Sequence, residues 1–102
     1  MSAPLSPPLF PLGQVELSPG AREAVPHARL MEVLASHASG DWGCIDEETA
    51  AESDDAVHSG FLIISAHPID PARWCTNYGE NCLVVVTERD RSKTIVVLPQ
   101  EW

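Results

Sequence analysis

Basic side chains are scarce in this 102-residue chain: six Lys and Arg stand against fifteen Asp and Glu, a formal net charge of −9. Between Leu30 and Ala72 there is no Lys or Arg, while nine carboxylates fall between Glu32 and Asp70. A surface so poor in cations releases few counterions from a polyanion, which argues against direct binding to nucleic-acid phosphates or to an anionic membrane. Long apolar runs are missing as well. Nothing approaches the roughly 20 consecutive apolar residues that span a bilayer. The opening MSAPLSPPLFPLG has neither a basic start nor a continuous apolar stretch, so it does not read as a signal peptide. A cytoplasmic protein is expected. The three cysteines, Cys44, Cys75 and Cys82, are an odd count, which in that compartment points to thiols. Cys75 and Cys82 would come close if they flank a turn.

Chemistry-bearing motifs are also lacking. No C-x2-C or H-x3-H pair organises His37, Cys44, His58, His67, Cys75 and Cys82 into a zinc pattern. Glu47, Glu48, Glu52 and Asp55 come without the central glycine of an EF-hand loop. Gly40 and Gly43 bracket an acid, which repels phosphate rather than cradling it. Ser36, His37 and Asp41 supply the residue types of a triad, but neighbouring helical residues point apart, and no nucleophile-elbow pattern surrounds them. Cys44 precedes a helix start, where a thiolate gains from the dipole, yet the carboxylates around it oppose a further anion. The expectation is therefore a protein that is not an enzyme, with no metal and no cofactor.

What is present is a pattern of elements. Pro4, Pro7, Pro8 and Pro11 make residues 1–12 an extended arm whose Leu9, Phe10 and Leu12 can dock on a core. Residues 13–102 read as one domain. Residues 13–17 alternate as a short strand, and Ser18-Pro19 carries the cap and first-position signature of a helix start. From 27 to 39 the spacing of Leu30, Val33, Leu34, His37 and Ala38 makes one apolar helical face, closed by Gly40. An acidic helix is expected from Asp46 to about Val57, with Asp46, Glu47 and Glu48 where the dipole favours negative charge and Asp54 and Asp55 where it does not. Beyond Gly60 the period becomes two: 61–67, 82–88 and 94–99 are β-branched runs joined by a long link (68–81) and a short one (89–93). The fold class is α+β, with two to three helices on one face of a three- to four-stranded antiparallel meander.

The order FPLGQV, then GDWG before an acidic helix, then TERDRSKTIVVLP resembles a family of small proteins encoded on plasmids, integrative elements and phages, a family of unknown function. The resemblance runs from Phe10 to Trp102 and is most specific at Phe10 with Gly13 to Val15, at Gly40 to Gly43, and at Thr87 to Pro99. It departs at Cys44, where the family usually has an Asp. It departs again in the first hairpin link, which is longer here and carries Arg73, Trp74 and Cys75. The resemblance implies a genomic habitat rather than an activity.

Seven acids crowd into residues 38–60, and Trp42, Trp74 and Tyr78 fall at or near the same surface. Carboxylates steer a basic partner, and aromatic anchors hold it. A plain solvated face is the alternative reading of the same charges. The expected site comprises Asp41, Trp42, Asp46, Glu47, Glu48, Glu52, Asp54, Asp55, Trp74 and Tyr78. The expected partner is a host protein with a basic surface, such as a Cas subunit or another nucleic-acid-binding defence protein, which the chain would inhibit in the manner of an anti-CRISPR. The other expectation is a non-catalytic regulator or adaptor of the same mobile element, working as a homodimer; either a monomer or a homodimer is compatible with the sequence. Arg89, Arg91 and Lys93 form the basic hairpin, expected to pair with neighbouring acids rather than to read DNA.

Overall fold

The structure is a computed structural model that describes residues 8–75 and 80–101. Tyr78 and the first seven residues of the arm lie outside them. In chain order the described residues form β1 (Gln14–Leu17), α1 (Pro19–Ala24), α2 (His27–Ala38), α3 (Glu47–Ser59), β2 (Ile63–Pro68), β3 (Cys82–Thr87), β4 (Lys93–Val97) and a closing 3-10 turn, Pro99–Glu101. The α+β class expected from the change of period after Gly60 is the one observed.

The sheet has the order β1-β4-β3-β2. β2, β3 and β4 make the expected antiparallel meander, with Ile64 opposite Val86 and Val85 opposite Val96. β1 differs: it pairs parallel to β4, Val15 opposite Thr94, so the sheet is mixed. A hairpin turn forces its two strands to be antiparallel, but no such turn joins β1 to β4. α1 and α2 follow β1 directly and bring the intervening chain back over the sheet.

Local signals place the helices. The Ser18 side chain accepts from the Ala21 amide at 3.1 Å, with Pro19 as the first helical residue. Glu101 closes this end from across the fold. Its carboxylate takes the Ser18 hydroxyl and the amides of Gly20 (3.2 Å) and Leu98 (2.9 Å). α2 buries the stripe its spacing predicts, Leu30, Val33, Leu34, His37 and Ala38. Residues Ala21, Val25, Leu30, Val33 and Leu34 of the helical layer pack on Leu83, Val85 and Val96 of the sheet. The opposite sheet face carries Val84, Val86 and Val97.

At one end of the helical layer Phe10, Trp42, Ala56 and Ile63 make a second cluster. Phe10 is buried, so the arm docks by this residue, edge-on to His37 with ring centroids 5.4 Å apart.

The chain between α2 and α3 is laid along the outer edge of β2. The Ala66 amide donates to the Trp42 carbonyl at 3.1 Å, and the Cys44 amide donates to the Ala66 carbonyl at 2.7 Å. Gly43 sits between them at φ +74°, where a Cβ would lie 1.9 Å from the Ala66 oxygen. Only glycine permits that approach. Nearly two turns into α3, the Ser53 hydroxyl donates to the Ile64 carbonyl (2.7 Å) and accepts from its amide (3.3 Å). A side chain thus completes the strand edge that another β-strand would otherwise seek.

Cysteine pairing departs from expectation. Cys44 and Cys75 form a disulfide with Cα atoms 6.2 Å apart, in place of three thiols or a Cys75–Cys82 pair. The reason is the Gly43–Ala66 contact, which parks Cys44 beside β2 at the end from which the Cys75 link emerges. Cys82 instead opens β3 opposite Pro68, with its side chain in the same small cluster as the disulfide.

Candidate functional site

At 3.6 residues per turn, successive side chains of α3 are about 100° apart. Ser53 and Ala56 face inward, with Ala50 and Val57 half-buried beside them. Glu48, Glu52 and Asp55 then fall at i, i+4 and i+7 on the outward side, and Glu47 and Asp54 form a parallel line across Ala51 and His58. All five carboxylates are exposed. Among the described residues no ion pair involves any of them. These five carboxylates are therefore gathered on the outward half of α3. Asp46 and Asp41 extend the charge toward the loop. Asp46 occupies the N-cap position with its side chain exposed and making no cap hydrogen bond. Asp41, also exposed, accepts from the Gly43 amide at 3.2 Å.

The aromatic residues divide. Trp42 is only 6% exposed: its ring belongs to the Phe10 cluster, and its indole nitrogen donates to Asp54 Oδ1 at 2.8 Å. It braces α3 from beneath and presents no ring to a partner. Trp74 is 70% exposed in the link after β2. The next residue, Cys75, is bonded to Cys44, two positions before Asp46, so the disulfide ties the Trp74 loop to the N-terminal end of the acidic helix. Tyr78 lies outside the described residues.

In the basic hairpin Arg91 is engaged internally, while Arg89 and Lys93 make contacts at the surface. Arg91 donates to the Ala56 (2.7 Å) and Phe61 (2.8 Å) carbonyls and lies over the Phe10 ring, 5.7 Å from its centroid. A cation on a helix's last turn complements the dipole, which offsets part of the cost of Asp54 and Asp55. Arg89 stands over Phe61 at 5.7 Å, and Lys93 lies 3.7 Å from Glu88.

Between α2 and the sheet runs a buried polar chain whose proton directions follow from its last link. Thr94 donates to the Leu12 carbonyl at 2.7 Å, so it accepts from Thr87, also at 2.7 Å. Thr87 then accepts from His37 Nε2 at 2.8 Å, and the neutral ring takes the Ser65 proton on Nδ1 at 2.6 Å. Ser65 in turn accepts from His67 Nε2 at 2.9 Å. Burial first, then the charges of His67 and Arg91, pushes His37 down to about 3. Burial pushes His67 to about 4, against the pull of Asp41. His37 is fully buried and committed at both nitrogens, so it turns away from Asp41 and has no nitrogen to offer a substrate. Ser65, Thr87 and Thr94 were not marked by any sequence motif; the only trace is a hydroxyl at an inward position of an otherwise apolar strand.

Comparison with family models, with curated proteins and with solved structures found no match. Among the described residues no helix is long and apolar enough to cross a membrane.

Proposed function

We propose that this chain is a non-enzymatic inhibitor encoded on a mobile element, acting by binding a host defence protein that handles nucleic acid. The outer face of α3 occupies a Lys/Arg-lined groove in place of phosphates, with Trp74 as the aromatic contact at its edge. An anti-CRISPR directed at a Cas subunit is the form of inhibitor put forward. The observation that supports this reading is the placement of Glu47, Glu48, Glu52, Asp54 and Asp55 on one exposed helix face, unpaired with any cation among the described residues. Carboxylates left unneutralised in this way keep their full long-range attraction for a basic surface. The engagement of Arg91 with two backbone carbonyls and of Lys93 with Glu88 adds support, because it weakens the hairpin as a competing phosphate-binding patch.

The test is charge reversal. Among the described residues the side chains of Glu47, Glu48, Glu52 and Asp55 make no hydrogen bond, so their exchange for Lys costs chiefly the favourable dipole contact of Glu47 and Glu48 in the first turn, whereas Asp54 holds the Trp42 indole and is left in place. Tagged wild-type and four-Lys proteins are used to retain proteins from a host lysate. Retention of a basic nucleic-acid-handling protein by the wild type, lost in the variant with its circular dichroism unchanged, is the expected result. Equal retention by both rejects the proposal.

A further inference from the structure

The acidic face makes no use of three sulfur atoms that the fold collects from three separate places. Cys44 comes from the chain entering α3, Cys75 from the link after β2, and Cys82 from the first residue of β3. All three are buried, at 8%, 1% and 1% exposure, and their Sγ atoms all lie within 4.8 Å of one another. We propose that, once the Cys44–Cys75 bond is reduced, these cysteines form a three-thiolate site for a thiophilic divalent d10 cation, with zinc as the type ion.

The geometry and the charge both lead there. Sulfurs bound at about 2.3 Å to one ion stand about 4 Å apart, which the observed clustering already approaches for Cys82. Opening the disulfide lets the other two reach the same spacing. Among the described residues no His, Asp or Glu joins the three sulfurs in this group, so the protein's donor set is all sulfur and discriminates against oxygen-seeking ions such as magnesium and calcium. Three buried thiolates cannot stand together unneutralised, because burial makes each lone anion costly. Either protons or a cation must accompany them, and a divalent ion cuts the local charge from three negative to one. Cys44, the least enclosed of the three, marks the side from which a solvent molecule would complete four-coordination.

The chemistry balances with a dithiol reductant. It supplies two electrons and two protons to the Cys44–Cys75 bond and leaves as its own disulfide. Zinc then binds sulfur as the three thiol protons pass to solvent. The covalent tie between the Trp74 loop and the acidic helix is exchanged for a coordinate one, so the two states, disulfide and metal, exclude each other. The proposal is independent of what the acidic face binds.

The experiment titrates Zn²⁺ against a chromophoric chelator into three samples: the fully reduced wild type, the wild type with its disulfide intact, and reduced Cys82→Ser. Co²⁺ replaces Zn²⁺ in a parallel set to show sulfur-to-metal charge-transfer absorption. The expected result is one ion per chain in the reduced wild type, none in the disulfide form, and affinity about 100-fold or more weaker in Cys82→Ser. The disulfide form of Cys82→Ser, checked by circular dichroism, separates a lost ligand from a lost fold. Less than one ion per reduced chain, equal affinity in Cys82→Ser, or binding by the disulfide form overturns the proposal. So does a reduced chain that is unfolded and is not refolded by added zinc.

Discussion

His37 lies on the apolar stripe of α2, and its inward position is readable from spacing alone. Its partners are not. Ser65, Thr87 and Thr94 come from three strands, and they meet the ring only because β2, β3 and β4 pair in one register. That register comes from side-chain packing across strands, which a single run of residues does not display. The chain of hydroxyls requires both histidines neutral, and this gives acid stability a definite sign. The ordinary histidine value is 6.5, whereas folding lowers His37 to about 3 and His67 to about 4. Between those limits the unfolded chain binds more protons than the folded one, so the stabilisation is complete above 6.5 and is lost as pH falls, toward about 4 for His67 and about 3 for His37. Each histidine contributes a slope of about 1.4 kcal/mol per pH unit in that window. Urea unfolding across the window should show it. His37→Leu should flatten the slope, and at neutral pH it should lose about 1–3 kcal/mol, because Ser65 and Thr87 are left without the ring.

The helices and the meander were legible as elements because each carries its own punctuation: Ser18-Pro19, Gly40, Gly60 and the β-branched runs. Two relations between elements were not. β1 runs parallel to β4 because long-range packing, with no local turn, sets its direction. Cys44 reaches Cys75 rather than leaving Cys75 to Cys82 because the loop before α3 adds itself to the edge of β2. That edge offers two tests. Gly43→Ala places a methyl 1.9 Å from the Ala66 oxygen and forces a left-handed alanine. The loop must move off the strand, at a cost of about 3 kcal/mol or more, seen as a lower urea midpoint. Ser53→Ala removes the hydroxyl that serves both the amide and the carbonyl of Ile64. A loss of about 1–3 kcal/mol is expected, with faster hydrogen exchange at the Ile64 amide and little change in β3.

The disulfide and the charge distribution act on the molecule as a whole. Cys44 and Cys75 are 31 residues apart in sequence, and a loop of that size confers roughly 3–4 kcal/mol through the unfolded state. Reduction should therefore lower the melting temperature markedly, and added zinc should restore part of the loss if the three-sulfur site forms. The acidic run is legible in the sequence, but its placement is not. Clustering on one side of α3 depended on Ser53 and Ala56 being the residues that face inward. Trp42, expected as an anchor, proved to be a core ring holding Asp54, which leaves Trp74 as the exposed one of the expected anchors among the described residues.

If α3 stands in for a nucleic-acid backbone on a basic host surface, as proposed, duplex DNA and this protein compete for one site on the partner. A partner retained on the immobilised wild type is challenged with duplex DNA at constant salt. Displacement is expected, with no complex containing all three components. A stable ternary complex, in which the partner holds DNA and this protein together, would contradict it.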